Sequence, residues 1–170
     1  MKKITTPLNE NQIRNLKVGE RVSLSGIVYT CRDQAHKRLL EKGRRNYLWK
    51  GQVIYYCGPT RRPKGKVIGS CGPTTSSRMD RFTPALLAQG LKGMIGKGQR
   101  SSEVIAAIKK YRAVYFLTFS GCGALLSKYV RKATPVAYKD LGPEAIYKLE
   151  VKDFPLIVGI DSQGRSVYKE

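Results

Sequence analysis

The segment Ala113-Val-Tyr-Phe-Leu-Thr-Phe119 constrains the fold of this chain more than any other. A half-buried strand alternates apolar and polar residues. This one is apolar nearly throughout, the pattern of a strand covered on both faces. Such a strand lies inside a sheet and needs a layer on either side. Just before it, Ser101-Ser102-Glu103 opens an amphipathic helix to Tyr111 that turns Val104, Ile105 and Ile108 inward.

The same alternation recurs along the chain. Residues 1–20 read as an N-terminal arm closed by a turn at Val18-Gly19-Glu20. Arg21–Thr30 has the period of a half-buried strand. Asp33 is placed to cap a helix to about Lys42, with Ala35, Leu39 and Leu40 on one face and Gly43 as its stop. Val53–Cys57 is a second strand, and residues 59–73 form a long Pro/Gly/Arg-rich loop of the kind that often carries function. A helix is predicted from Thr74 or Thr75, another from Thr83-Pro84 to about Gln89, and a short strand over Met94–Lys97. Further on come a helix over Leu125–Val130, strands near Val136, at Leu149–Val151 and at Leu156–Ile160, and a hairpin turn at Asp161–Gly164. Strands alternating with helices give an α/β fold with a mixed sheet, in one domain over residues 1–170.

Composition narrows the function classes. At 170 residues and 41% hydrophobic, the chain is long enough to bury a core. It has no run of eighteen apolar residues and no apolar signal core behind Met1-Lys2-Lys3, so a cytoplasmic protein without a membrane partner is expected. The net charge of +20 favours an anionic partner: nucleic acid, an acidic subunit or a negatively charged substrate. Aromatics do not interleave with the basic residues as in single-strand binders, and no nucleic-acid-binding signature appears, so nucleic acid rests on charge alone. Cys31, Cys57, Cys71 and Cys122 contain no Cys-x-x-Cys pair and accompany one histidine. Reduced, buried thiols are the default reading.

Gly69-Ser-Cys-Gly-Pro-Thr-Thr-Ser-Ser-Arg-Met-Asp80 carries the chemistry. Glycines and a proline shape a tight loop, four hydroxyl side chains follow, and Arg78 stands one helical turn after Thr74. Hydroxyls and free N–H groups at a helix start suit an anion, and a guanidinium grips a carboxylate with two hydrogen bonds. An ordinary capped helix with an exposed arginine has the same spacing. Arg32, at the junction of strand and helix, is a candidate second anion grip. His36, one turn after Asp33, either joins it or supports the helix end. Lys97 stands between Gly96 and Gly98 at a strand end, as a point charge near a ligand or as a solvated turn. Several cationic grips beside hydroxyls suit a small dicarboxylate or hydroxy acid.

These motifs form an ordered series: Gly26–Arg38, Ile54–Pro59, Gly69–Asp80, Met94–Gly98 and Glu150–Pro155. In that order, from about residue 8 to residue 165, the chain resembles the C-terminal domain of class I fumarate hydratases. In many archaea and bacteria that domain is a separate β subunit, and the β subunit of L(+)-tartrate dehydratase is a close relative. The resemblance implies a swivelling β/β/α domain and reversible hydration of fumarate to (S)-malate, or alternatively dehydration of tartrate to oxaloacetate. A basic nucleic-acid-binding module is the reading from another class. The resemblance also implies an α subunit carrying an oxygen-sensitive 4Fe-4S cluster, in an αβ or α2β2 assembly, so that the four cysteines here are not cluster ligands. By position, it makes Thr74 a proton-transfer residue and Thr75 and Arg78 carboxylate contacts. Arg32 would hold the other carboxylate, Lys97 would be a substrate-binding pocket residue, and His36 has no assigned role. Cys31 stands where a small residue is common, and Ser76-Ser77 where alanine-glycine or similar pairs occur; neither departure removes a charge.

Overall fold

The computed structural model describes residues 1–41 and 49–168. The described strands are β1 (Lys2–Thr5), β2 (Arg21–Thr30), β3 (Val53–Tyr55), β4 (Gly93–Gly96), β5 (Val114–Leu117), β6 (Val130–Ala137) and β7 (Ile146–Ile160). They form one mixed sheet in the order β1-β2-β3-β4-β5-β7-β6, with an additional pairing of β2 to β7. The helices are α1 (Glu10–Arg14), α2 (Asp33–Glu41), α3 (Thr83–Ala88), α4 (Ser102–Tyr111) and α5 (Gly123–Leu126). Among these elements α/β content and a mixed sheet are as the sequence predicts.

The β2–β7 pairing closes the sheet into a small barrel. Strands β1 to β5 run parallel to their neighbours, while β7 lies antiparallel to β2, β5 and β6. Fifteen residues long, β7 gives one edge to β2 and divides the other between β6 and β5. Such closure requires a strand to bend, and a bulge supplies the bend. The β2–β7 register shifts between Leu24 and Gly26, where Asp153 takes φ 53° and Gly26 φ 111°. Ser25 Oγ accepts the Asp153 N–H at 3.0 Å, and Ser23 Oγ donates to the Asp153 carboxylate at 3.2 Å, so the kink keeps its polar groups bonded.

Period-two alternation divides the core. Val53 and Tyr55, Ile95, Val114 and Phe116 pack with Leu24, Leu149, Phe154 and Val158 in the cluster enclosed by the strands. Ile54, Met94 and Tyr115 point the other way, against Leu39, Leu86, Leu87, Val104 and Ile108 of the helices. With both of its faces buried, β5 is the strand that the apolar run requires.

Several boundaries differ from expectation. The N-terminal arm is structured: β1 pairs in parallel with β2, and α1 starts in a capping box between Asn9 and Gln12. Four and five residues are too few for either period to register. Asp33 is the first helical residue of α2, not its cap, and its carboxylate is drawn to Arg78. The end of that helix at Lys42 and its stop at Gly43 lie outside the described residues. The predicted helix at Thr74 is a 3-10 turn over Ser76–Met79, since Thr75 and Ser76 bond sideways to Lys97 before a helix can wind. The segment after Gly121 splits into α5 and a 3-10 turn at Ser127–Tyr129, with β6 already starting at Val130. The two C-terminal strands are one, because the bulge at Asp153 bends β7 without ending it. On α4, Val104 and Ile108 are buried as expected, with Ala107 rather than Ile105 completing that face.

Candidate active site

Parallel β2, β3, β4 and β5 bring their carboxyl ends to one rim of the barrel, the side of parallel strands on which ligands bind in α/β folds. Arg32 follows β2, Gly58 follows β3, Lys97 follows β4 and Ser120 follows β5. The Gly69–Asp80 run is drawn across this rim. Tyr55 donates its hydroxyl to the Cys71 carbonyl, and Thr74 N–H donates to Tyr56 O at 2.7 Å. Ser76 N–H donates to Lys97 O at 3.1 Å, and Lys97 N–H returns to Ser76 Oγ at 3.0 Å. Tyr115 Oη stands 2.8 Å from the same Oγ and 2.9 Å from Gly98 O, and burial pushes its phenol up, so it remains protonated. This loop stays close because residue 96 is glycine: a Cβ there would collide with Ser76 Oγ and come within 2.9 Å of the Tyr56 ring.

Thr74 and Arg78 meet as their spacing suggests. Arg78 Nη2 donates to Thr74 Oγ1 at 3.3 Å and to Asp33 Oδ2 at 2.9 Å. One guanidinium thus ties the hydroxyl loop to the start of α2, beside Arg32. Thr75 occupies the position before the 3-10 turn, but its side chain makes no capping bond into it. Its strand-like bridge to Lys97 joins those two candidates through the backbone. Lys97 Nζ reaches Ser120 Oγ at 3.4 Å. Arg32 turns its Nε toward Glu144 Oε1, 3.9 Å away, and lies over Gly58, where a Cβ would come within 2.8 Å of its Nη1.

His36 is placed differently from the rest. It is fully buried, stacked on Phe82 at 5.5 Å and tilted against Tyr56 at 5.7 Å. Its Nδ1 lies 2.8 Å from Arg32 O, which also accepts the His36 N–H at 2.9 Å. A carbonyl only accepts, so Nδ1 carries the proton, and the ring clamps the backbone of Arg32 from behind. Burial is the main cause that lowers its pKa from the ordinary 6.5 to about 4. The unfolded chain therefore binds more protons than the folded one between those values. The His36 contribution to stability is complete above about pH 6.5 and is lost, on the order of 3 kcal/mol, as pH falls through 4. His36→Asn keeps a donor for Arg32 O but cannot titrate. Urea unfolding between pH 7 and 4 should give a flatter pH dependence for this variant than for the parent. Parallel curves would contradict the neutral, buried assignment.

Sequence reasoning missed three groups. Asp33 serves as partner to Arg78, where its position before an apolar face signals only a cap. Glu144 lies more than a hundred residues from Arg32, and no local spacing links them. Arg100 has a fully buried side chain. Its Nε donates to Asp80 Oδ1 at 2.6 Å and its Nη2 to Thr83 Oγ1 at 2.8 Å and Tyr56 Oη at 3.2 Å, while it sits over the Tyr56 and Tyr115 rings. Asp80 also accepts the Ser101 N–H at 2.7 Å, so the pair locks the end of the 3-10 turn to the start of α4. The signal in sequence was faint: Arg100 closes the basic stretch Gly96–Arg100 and reads as solvated.

Cys31, Cys57 and Cys71 are buried and Cys122 is partly exposed. Burial pushes the Cys31 thiol well up, and the Cys71 hydrogen bond followed by burial does the same to Cys57 while that bond lowers Cys71, so two of the three buried thiols are held protonated. Among the described residues, no three His, Cys, Asp or Glu side chains group so as to hold a metal ion. This donor set does not fit a 4Fe-4S cluster. Nor, among the described residues, is any helix long and apolar enough to cross a membrane.

The family model described as Fumarase C-terminus matches residues 2–170. Fumarate hydratase class I, aerobic, of Salmonella typhimurium is 36% identical over 176 residues, covering 98% of this chain and 30% of its own length. L(+)-tartrate dehydratase subunit beta of Escherichia coli K12 is 36% identical over 177 residues, covering 100% of this chain and 88% of its own. Fumarate hydratase 2 of Leishmania major is 36% identical over 166 residues, covering 94% and 29%. This chain thus spans under a third of the fumarate hydratases it matches, but most of the tartrate dehydratase subunit. Both the family match and the full-length similarity lead to one conclusion: the chain belongs to the Fumarase C-terminus family.

Proposed function

We propose that this chain is the β subunit of a two-subunit iron–sulfur hydro-lyase, a single β-type catalytic domain over residues 1–170. It would hold the carboxylates of a small dicarboxylic acid while water is added or removed. The observation that carries this reading is the Arg78 guanidinium bridging Thr74 and Asp33 at the carboxyl edge of the sheet, beside Arg32. Arg32 and Arg78 are assigned the two substrate carboxylates, with Thr75 and Lys97 completing the same wall. Paired guanidiniums suit such a substrate, because they also stabilise the extra charge that builds on a carboxylate as the neighbouring C–H bond breaks.

Thr74 is assigned the proton transfer. A threonine hydroxyl is a weak base, and it needs help to give up its own proton. Arg78 Nη2 donates to its oxygen, which stabilises negative charge there and leaves the hydroxyl hydrogen free to face the substrate carbon. His36 is given no proton to carry. Its buried, neutral ring holds Arg32 in place through the backbone.

Class I fumarate hydratases are iron–sulfur enzymes. Since the donors here do not fit the cluster, we assign it to the α subunit, in an αβ or α2β2 assembly, and derive no step through it. Four unpaired cysteines, three of them buried, suit a reducing cytoplasm. A charge of +20 suits both an acidic partner and a dianionic substrate better than it argues for nucleic acid.

Fumarate and (S)-malate are the proposed substrate pair. Tartrate dehydration to oxaloacetate is the second reading, favoured by the 88% coverage of the tartrate dehydratase β subunit. Co-expression with the α subunit without oxygen, followed by assay on both acids, decides. Faster turnover of fumarate is the expected result. Turnover of tartrate alone would install the second reading, and turnover of neither by a cluster-loaded complex would overturn both.

A further inference from the structure

Acidic residues are missing from two long stretches of this chain. No Asp or Glu occurs between Glu41 and Asp80, or between Glu103 and Asp140. The fold brings parts of both stretches together beside the candidate site. Cys71 N–H donates to Gly123 O at 3.2 Å, so α5 begins against the Gly69–Asp80 run. A groove of about 670 Å³ opens between the 60–70 loop on one side and α5 with the start of β6 on the other. Lys66, Lys128 and Arg131 line it and are exposed, and none of the described residues lining it is acidic.

The same surface exposes large apolar side chains. Val67, 42% exposed, lines the groove, and Leu125, 48% exposed, follows Ala124, which lines it too. Phe119, 49% exposed, precedes Ser120, the residue that Lys97 Nζ reaches at 3.4 Å. Exposed apolar groups therefore run from the candidate site to the groove. An apolar patch bordered by charge of a single sign has the anatomy of a docking face.

Charge decides the occupant. A second copy of this chain, placed there by two-fold symmetry, would set the same lysines and arginines against one another. The α subunit must approach the rim that carries Arg32, Thr74 and Arg78, because the proposed function divides one site between two chains. We propose that the face formed by the 60–70 loop, α5 and the Phe119–Ser120 segment is the docking surface for the α subunit, and that it takes an apolar patch bordered by Asp and Glu side chains. This rests on the two-subunit reading and adds where the chains meet and what joins them. Phe119, Leu125 and Val67 supply apolar area, while Lys66, Lys128 and Arg131 steer and align the partner.

The test uses the complex co-purified with its α subunit, diluted and followed by sedimentation at low and high salt. Leu125→Asp, and separately Lys128→Glu combined with Arg131→Glu, should each weaken association by at least about tenfold. The charge-reversed pair should also lose most of the salt sensitivity of the parent complex, since its attraction is gone. Lys109→Glu combined with Lys110→Glu, on α4 and outside the face, makes the same change in charge and should stay within about twofold of the parent. All five side chains are exposed, so thermal unfolding of each variant should match the parent. Unchanged association in both face variants, or an equal loss in the α4 variant, overturns the proposal and leaves the two-subunit reading standing. So does a homodimer or a nuclease-sensitive complex of this chain that the face variants abolish. If the parent chain forms no complex with the α subunit, the two-subunit reading falls, and this inference with it.

Discussion

Replacing Arg100 with methionine is expected to destabilise the chain by about 3–5 kcal/mol, the largest effect of any single substitution at this edge. The guanidinium has no solvent to fall back on: its side chain is 0% exposed, Nε and Nη2 bond to Asp80, Thr83 and Tyr56, and Nη1 reaches only the weakly accepting Met94 Sδ at 3.8 Å. Methionine fills much of the volume but leaves the Asp80 carboxylate, itself only 14% exposed, without its counter-charge. Removing one partner of a buried pair costs more than the pair contributes, because the survivor remains desolvated. Asp80→Asn in the same chain should therefore return part of the loss, while Asp80→Asn alone still forfeits the charge opposite Arg100. Urea unfolding of the parent, both single variants and the double variant forms the cycle. Strictly additive costs would show that the two side chains do not act as a pair.

The barrel was only partly legible in the sequence, and the reasons are physical. Strand β2 was readable because Val22, Leu24 and Val28 recur at the period of two on a buried face, although the period blurs around Gly26 and Ile27. The double burial of β5 was readable for the opposite reason, an apolar run with no period at all. Closure was not readable. It depends on Asp153 and Gly26 meeting across a register shift, between strands more than a hundred residues apart, and each looks locally like an ordinary polar residue or glycine. The 3-10 turn at Ser76–Met79 was misread for a related reason. Serine and threonine runs suit a helix start, and only the sideways bonds to Lys97 and Tyr115 divert this one.

At the site, the positive charges were legible and their partners were not. Arg32, Arg78 and Lys97 stand beside glycines, hydroxyls and strand ends, a context that marks a basic residue as more than solvated surface. The carboxylates that answer them carry no such mark. Asp33 looks like a cap and Glu144 like part of a turn, yet each faces a guanidinium. His36 shows the converse. Its spacing from Asp33 left it either at the pocket or supporting the helix end, and burial against Phe82 and Tyr56 turns its ring to the backbone of Arg32.

Arg78→Lys should separate function from stability as sharply as Arg100→Met joins them. Arg78 is 47% exposed, and its bond to Asp33 is a partly solvated ion pair. Pairs of that kind contribute about 0–1 kcal/mol, so urea unfolding should barely change. Activity is another matter. One nitrogen of Arg78 serves both Thr74 and Asp33, which leaves the rest of the planar fork to hold a carboxylate. Lysine supplies the same charge as a point and cannot bridge those groups while also offering two parallel donors. Loss of the bridge also frees Thr74 Oγ1 from the cation that stabilises charge on it. We expect kcat/KM of the assembled enzyme to fall by about 10²–10³, comparable to removing one charge-stabilising donor from an active site, with kcat carrying most of the loss. Retention of the parental rate by Arg78→Lys would mean that charge alone suffices there. The Thr74–Arg78–Asp33 bridge would then be structural, and proton transfer would have to be sought elsewhere on this edge.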